Sequence, residues 1–158
     1  MRNRYSILAV VLGLLMSTAS ARADVGYSAS LSGAQEVPPN ASPASGTAFM
    51  TYDGTLLHYT VTYSGLTAPR TAGHFHGPAL PGVNAGVVFG IATGGPSADV
   101  ITGTWAIDAT NLARLNSGLL YLNIHTSTFP GGEIRGQVNV DATPNKVSTW
   151  GRIKNLYR

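Results

Sequence analysis

Glycine and proline divide this sequence into short segments that are rich in threonine, valine and tyrosine. The 19 glycines and 9 prolines favour tight turns, whereas β-branched and aromatic residues favour extended strands. Short strands bounded by turn residues are typical of all-β proteins. The spacing therefore predicts an all-β fold.

Several segments have the composition of β-strands, and one has the features of a short helix. The predicted strands cover residues 27–31, 47–52, 55–63, 72–76, 87–92, 100–107, 119–125 and 133–140. The helical segment covers residues 108–116, where Asp108 can cap the first turn and Gly118 can end the last one. This succession predicts a β-sandwich or partly closed barrel with Greek-key connections.

A β-hairpin is predicted around the dipeptide Asp53-Gly54. This dipeptide lies between two predicted strands, and it supplies the positive φ values that a two-residue hairpin turn requires. In the second strand, alternation places these residues on one face: Leu57, Tyr59, Val61 and Tyr63. His58 falls on the opposite, mostly polar face, where solvation rather than metal ligation is expected.

The N-terminal residues 1–23 have the features of a secretory signal peptide. Arg2 and Arg4 precede a short apolar run, and an Ala-Arg-Ala motif ending at residue 23 provides a cleavage site. The apolar run is about half of the ~20 residues that a membrane-spanning helix needs. We therefore expect cleavage before Asp24, no membrane span in the mature chain, and a periplasmic or secreted location.

The rest of the chain divides into one domain, residues 24–141, and a C-terminal segment, residues 142–158. A domain of this length supports one hydrophobic core. The C-terminal segment starts as a linker and then carries four apolar residues at helical spacing among basic ones: Trp150, Ile153, Leu156 and Tyr157. We expect a short basic amphipathic tail that packs on the domain or frays, or that contacts a membrane or a partner.

The charge distribution argues against a nucleic-acid partner. Three arginines leave with the predicted signal peptide, so the mature chain has seven basic and seven acidic residues. Residues 24–141 hold three basic residues against seven acidic ones, and a mildly acidic domain does not attract a phosphate backbone. The sequence has no cysteine, so any metal site must use histidine, carboxylate, methionine or backbone ligands.

Three histidines suggest a metal site. His74 and His76 are one residue apart in a predicted strand, so both imidazoles lie on one face and Phe75 points to the core. Two such rings can chelate one ion, although polar residues at alternate positions also serve solubility alone. His125 ends another predicted strand and offers a third imidazole, and a three-histidine set suits copper or zinc.

Three longer motifs follow one another along the chain. They are LSGAQEVPP at residues 31–39, AGHFHGPA at 72–79, and LYLNIHT at 120–126 with FPGGEIRG at 129–136. This set resembles the CHRD domain, which was first described in chordin, and the resemblance covers residues 26–140. It implies an immunoglobulin-like Greek-key β-sandwich or barrel that resembles copper/zinc superoxide dismutase.

The resemblance to the dismutase extends to single residues. His74 and His76 look like its His-x-His copper ligands, and His125 looks like its later copper ligand. Arg135 looks like the arginine that guides anions to the metal. This chain departs from the dismutase because it has no identifiable histidine bridging two metals, no evident cluster of zinc ligands and no disulfide pair.

Four further residues are expected around the three histidines. Glu36 could brace a ligand histidine, or it could order its own proline-rich loop. Tyr121 and Asn123 share a strand face with the third histidine, where they could line the site or cover the sheet. Arg135 shares a strand face with Glu133, and these two side chains could simply pair.

These observations favour an exported protein that uses His74, His76 and His125 for copper binding, storage or delivery. The alternative is an extracellular structural or interaction module without a metal, because chordin-type relatives bind other proteins. A superoxide dismutase-like oxidoreductase is a second alternative. We identify no catalytic residues, and the sequence carries no motif for hydrolysis or phosphate binding.

Overall fold

The structure, a computed structural model, describes residues 24–141, so the predicted signal peptide and tail lie outside the described residues. The strands are β1 (Val25–Ser32), β2 (Ser45–Tyr52), β3 (Leu57–Ser64), β4 (Arg70–His76), β5 (Val87–Gly95), β6 (Asp99–Trp105), β7 (Tyr121–Thr126), β8 (Ile134–Gln137) and β9 (Asn139–Val140). A 3₁₀ turn covers Gly33–Gln35, and helix α1 covers Ala109–Asn116. None of the helices in this part of the chain has the length and apolar character needed to cross a membrane.

The strands form one antiparallel sheet that curls into a nearly closed barrel, which confirms the predicted all-β fold. The order across the sheet is β5-β4-β7-β8-β1-β2-β3-β6, and β9 pairs with β1. Strands β1, β2 and β3 are successive neighbours, and β5 and β6 are the two end strands of this order. The chain crosses to a non-adjacent strand inside the order after β3 and again after β6. These crossings are Greek-key connections of the predicted kind.

Alternation along the strands fills the interior of the barrel. In β3, every second residue from Leu57 to Tyr63 is buried and the residues between them are exposed, which confirms the predicted faces. In β4 and β7, Phe75, Leu122 and Ile124 are completely buried. Burial of each such side chain contributes about 1.5–3 kcal/mol to folding, so the interior is the main source of stability.

The turn between β2 and β3 is longer than the predicted two-residue turn. Tyr52 pairs with Leu57, so four residues lie between the strands. The Asp53 carboxylate accepts hydrogen bonds from the backbone N–H groups of Thr55 and Leu56, at 2.8 and 2.9 Å. The backbone N–H of Asp53 still donates to the carbonyl of Leu56 at 3.2 Å, and the bond from the Leu56 N–H to the Asp53 side chain takes the place of the reciprocal backbone bond.

Helix α1 lies where the sequence predicts it. The Asp108 carboxylate accepts a hydrogen bond of 2.8 Å from the backbone N–H of Asn111, and Gly118 has a φ of +66° just after the last turn. Leu115 is completely buried. The hydroxyl of Tyr27 donates to the Asn116 side chain at 2.6 Å, which ties the helix to β1.

The candidate site lies on the outer face of β4, β7 and β8, opposite the barrel interior. The register aligns three rows of side chains on this face: His76, Tyr121 and Gln137; His74, Asn123 and Arg135; and Ala72 with His125. Residues from the segments 33–44, 77–86 and 127–132 hydrogen-bond to this face. Because these segments cover the face, several of its polar side chains are buried.

Candidate metal centre

Strand β4 presents two imidazoles on the outer face of the sheet. His74 lies opposite Asn123 of β7, and His76 lies opposite Tyr121. Phe75, between the two histidines, points into the barrel and is completely buried. The two imidazole centroids are 5.5 Å apart, so the period-two arrangement predicted from the sequence is confirmed.

Strand β7 brings the third imidazole to the same place. Nε2 of His125 lies 3.1 Å from Nδ1 of His74, and the ring centroids of His125 and His76 are 5.9 Å apart. One ring nitrogen from each of the three histidines lies within 4.8 Å of the other two. The predicted convergence of histidines from distant parts of the chain is therefore confirmed.

Two backbone carbonyls orient the rings of His76 and His125. Nδ1 of His76 lies 3.0 Å from the carbonyl oxygen of Ala85, and Nδ1 of His125 lies 3.0 Å from that of Pro130. A carbonyl oxygen can only accept a hydrogen bond, so each Nδ1 carries the proton and each Nε2 is unprotonated. Nε2 of His76 has no hydrogen-bond partner within residues 24–141, whereas Nε2 of His125 accepts a hydrogen bond from Nδ1 of His74. Both Nε2 atoms therefore have the protonation state of a metal ligand.

The cluster fits a bound metal ion. Nε2 of His76 is buried and has no hydrogen-bond partner among residues 24–141, and a buried polar atom without a partner is unfavourable. Metal–imidazole bonds of about 2 Å keep ligating nitrogens within about 4 Å of one another. The spread of 4.8 Å needs only small side-chain shifts to reach this range. Three imidazoles suit both copper and zinc.

Burial keeps the three imidazoles neutral. Desolvation lowers the pKa of His76 to about 4. The pKa values of His74 and His125 are also lowered, in both cases chiefly by desolvation. An imidazole that is unprotonated at neutral pH offers its lone pair without competition from a proton.

The remaining histidine, His58, lies away from this cluster on the outer face of β3. Its side chain is 50% exposed, and its Nε2 lies 2.9 Å from a carboxylate oxygen of Asp53. This half-exposed position outside the cluster agrees with the prediction that His58 is solvated. His58 is therefore a matched control for substitutions in the cluster.

The sequence model of the CHRD domain matches residues 27–138. This match spans the strands β2 to β8 completely and includes the three clustered histidines. The chain belongs to the CHRD domain family. No curated protein and no solved structure matches it significantly.

In this CHRD domain, a tyrosine lies between the histidine cluster and Arg135. The ring of Tyr121 stacks on the imidazole of His76, with centroids 4.8 Å apart and planes 5° apart. The guanidinium carbon of Arg135 lies 3.5 Å from the centroid of the same tyrosine ring. Two flat groups so close to one ring must lie on its opposite faces. Tyr121 therefore lines the cluster, and Arg135 lies behind it.

The position of Arg135 differs from the one expected of an arginine beside a metal. Its side chain is 1% exposed, and it donates to the carbonyl oxygen of Val83 at 2.8 Å and to Oδ1 of Asn84 at 3.1 Å. Asn84 in turn donates to the carbonyl of Val37 at 2.9 Å. Arg135 thus holds the segments around residues 37 and 83 together, and its anion-guiding role stays a prediction.

Glu36 does not brace a ligand histidine in this CHRD domain. Nδ2 of Asn123 donates to both of its carboxyl oxygens, at 2.9 and 3.0 Å. Burial raises the pKa of Glu36 to about 7, against the lowering effects of the bond from Asn123 and the charge of Arg135. Glu36 therefore fastens its proline-rich loop to β7, which is the alternative interpretation of its role.

The possible pair between Glu133 and Arg135 does not form. Oε1 of Glu133 accepts hydrogen bonds from the Ser42 hydroxyl and the Thr67 backbone, both at 2.7 Å. Its Oε2 accepts from the Thr126 hydroxyl at 2.6 Å. Burial alone would raise the pKa of Glu133, but these hydrogen bonds outweigh it and lower the pKa. The charge of Glu133 is satisfied by neutral donors instead of by an arginine.

Sequence reasoning missed the backbone groups that orient the site. The carbonyls of Ala85 and Pro130 belong to loops, and no side-chain pattern marks them. Sequence reasoning also missed the role of Gly132, which lets the loop approach the site closely. Gly132 has a φ of +137°, and a Cβ atom there would overlap Asn123 and Glu36. The Pro-Gly-Gly sequence in this loop was the available signal, since glycine allows close approach and positive φ.

Proposed function

We propose that this CHRD-domain protein is exported and binds copper through His74, His76 and His125. Its role outside the cytoplasm would be the binding, storage or delivery of copper. The observation that carries the proposal is the approach of one ring nitrogen from each histidine to within 4.8 Å of the others. Export is supported by the signal-peptide features of residues 1–23.

Copper is the metal that the donor set favours. At a given nitrogen site, the affinity for divalent ions rises along the first transition series to copper and falls again at zinc. The three ligands are all imidazoles, and imidazole binds copper well. When bound, copper would supply a redox-active centre, while the carbonyls of Ala85 and Pro130 would keep Nε2 of His76 and His125 directed at it.

Titration of the purified protein with cupric and cuprous ions against a competing chelator tests the proposal. We expect His74→Ala, His76→Ala and His125→Ala each to weaken copper binding by about tenfold or more, while circular dichroism shows an intact fold. His58→Ala removes a histidine outside the cluster and should leave the affinity unchanged. An unchanged affinity in the triple variant would refute the site.

An extracellular protein-interaction module is the second candidate function. It is supported by three apolar side chains in the segment that flanks the cluster, Leu80, Val83 and Val87, each more than half exposed. Metal analysis of protein purified in the presence of copper separates the two candidates. Protein that contains no metal under these conditions would favour the interaction module, and about one copper per chain would favour the copper site.

A further inference from the structure

A cleft separate from the histidine cluster opens beside Arg135. It lies between the segments 34–39 and 81–82, and residues Arg135 and Gln137 of β8 also line it. Its volume is about 310 Å³, which is at the lower end of the range for small-molecule sites. None of the clustered histidines lines it, and much of its wall is apolar.

Arg135 brings a positive charge to this cleft without a neutralising partner. The side chain is 1% exposed, and its hydrogen bonds go to two neutral acceptors, the carbonyl of Val83 and the amide oxygen of Asn84. Within residues 24–141, no carboxylate forms an ion pair with its guanidinium. The Tyr121 ring, whose centroid lies 3.5 Å from the guanidinium carbon, stabilises this charge on one side. A buried cation without an opposite charge nevertheless remains unfavourable.

The acidic side chain that lines the cleft does not supply this opposite charge. The two carboxyl oxygens of Glu36 accept hydrogen bonds from Asn123. Burial raises the pKa of Glu36 to about 7, so a large fraction of the carboxyl is protonated and uncharged at neutral pH. The cleft therefore presents one cation that is compensated only in part.

We propose that this cleft binds a small organic monocarboxylate, which pairs with Arg135 and packs against Val37, Pro39 and Pro81. The planar guanidinium matches the geometry of a carboxylate, and the apolar wall favours an organic anion over an inorganic one. Arg135 is the only cation that lines the described cleft, so it suits a single negative charge. The proposal does not depend on copper binding, because Tyr121 lies between Arg135 and the cluster.

Calorimetric titration of chelator-treated protein with benzoate tests this proposal, with benzamide as the uncharged counterpart of the same shape. We expect benzoate to bind at least about tenfold more tightly than benzamide, since a charge-assisted hydrogen bond is worth about 1.5–3 kcal/mol. Inorganic phosphate should bind more weakly than benzoate. Equal binding of benzoate and benzamide, or tighter binding of phosphate, would overturn the proposal.

Two substitutions of Ala34 locate the binding to the cleft. Ala34 is exposed at its edge, so neither change should disturb folding. Ala34→Glu adds a carboxylate that competes with the ligand, and it should weaken benzoate binding by about tenfold, whereas the uncharged Ala34→Gln should leave it nearly unchanged. Equal affinities of these two variants would contradict the location. The triple variant of the clustered histidines should still bind benzoate, and loss of binding there would also overturn the proposal.

Discussion

Replacing Glu36 by glutamine should change how the stability of the domain depends on pH. Burial raises the pKa of the Glu36 carboxyl from 4.5 to about 7 in the folded protein. A carboxyl with a raised folded pKa binds its proton more tightly when folded, so the folded state loses stability as the pH rises from the unfolded value to the folded one. Glutamine does not ionise, so the variant does not show this loss.

The size of the effect follows from the two pKa values. A separation of about 2.5 pH units corresponds to about 3 kcal/mol, at about 1.4 kcal/mol per unit. Below about pH 4.5 the wild-type carboxyl is uncharged in both the folded and the unfolded state. The difference between the free energies of unfolding of the two proteins should therefore not change with pH there. Above about pH 7 the free energy of unfolding of the variant, measured against that of the wild type, should be up to about 3 kcal/mol higher than it is below about pH 4.5. The histidines titrate in both proteins, so their contributions cancel.

Urea unfolding in the presence of a chelator measures this difference, with the fluorescence of the buried Trp105 as a probe of the barrel. Glu133→Gln is the matched control, because the pKa of Glu133 is lowered. Its ionised form contributes stability above the unfolded pKa, and that contribution is lost as the pH falls. The control should therefore become more destabilised toward neutral pH. Parallel pH profiles for wild type and Glu36→Gln would refute the reasoning.

Two further substitutions test the contacts around the site. Gly132→Ala forces a Cβ against Asn123 and Glu36 at a positive φ, and it should cost about 1–3 kcal/mol in urea unfolding; unchanged stability would show that the overlap is relieved. Tyr121→Phe keeps the aromatic ring but removes the hydroxyl that accepts a 3.1 Å hydrogen bond from the N–H of Ala85. It should cost about 1–3 kcal/mol, and a thermal midpoint equal to that of the wild type would contradict the importance of this bond.

The elements that depend on local periodicity could be predicted from the sequence. His74 and His76 share a face because side chains alternate along a strand, and this requires no knowledge of the rest of the molecule. The buried positions of β3 and the capped helix after Asp108 follow from equally local rules. His125 was added to the set because it ends another predicted strand, and the resemblance to the CHRD domain and the dismutase then supported its place beside the other two histidines.

The partners of the buried charged side chains could not be predicted in the same way. Glu36, Glu133 and Arg135 bond to residues that are distant in the sequence, and only the folded structure determines which segments meet. Each has polar side-chain atoms that must be hydrogen-bonded when buried, but the sequence does not show which donors or acceptors are within reach. The turn after Tyr52 was mispredicted for a related reason, because the Asp53 side chain competes with the backbone ladder.

The central claim is that His74, His76 and His125 bind one copper ion together. A crystal structure of the copper-loaded protein, with anomalous diffraction at the copper edge, tests it most directly. We expect a single strong peak about 2 Å from one ring nitrogen of each histidine. A peak elsewhere on the protein, or one that contacts only a single histidine of the three, would contradict the claim.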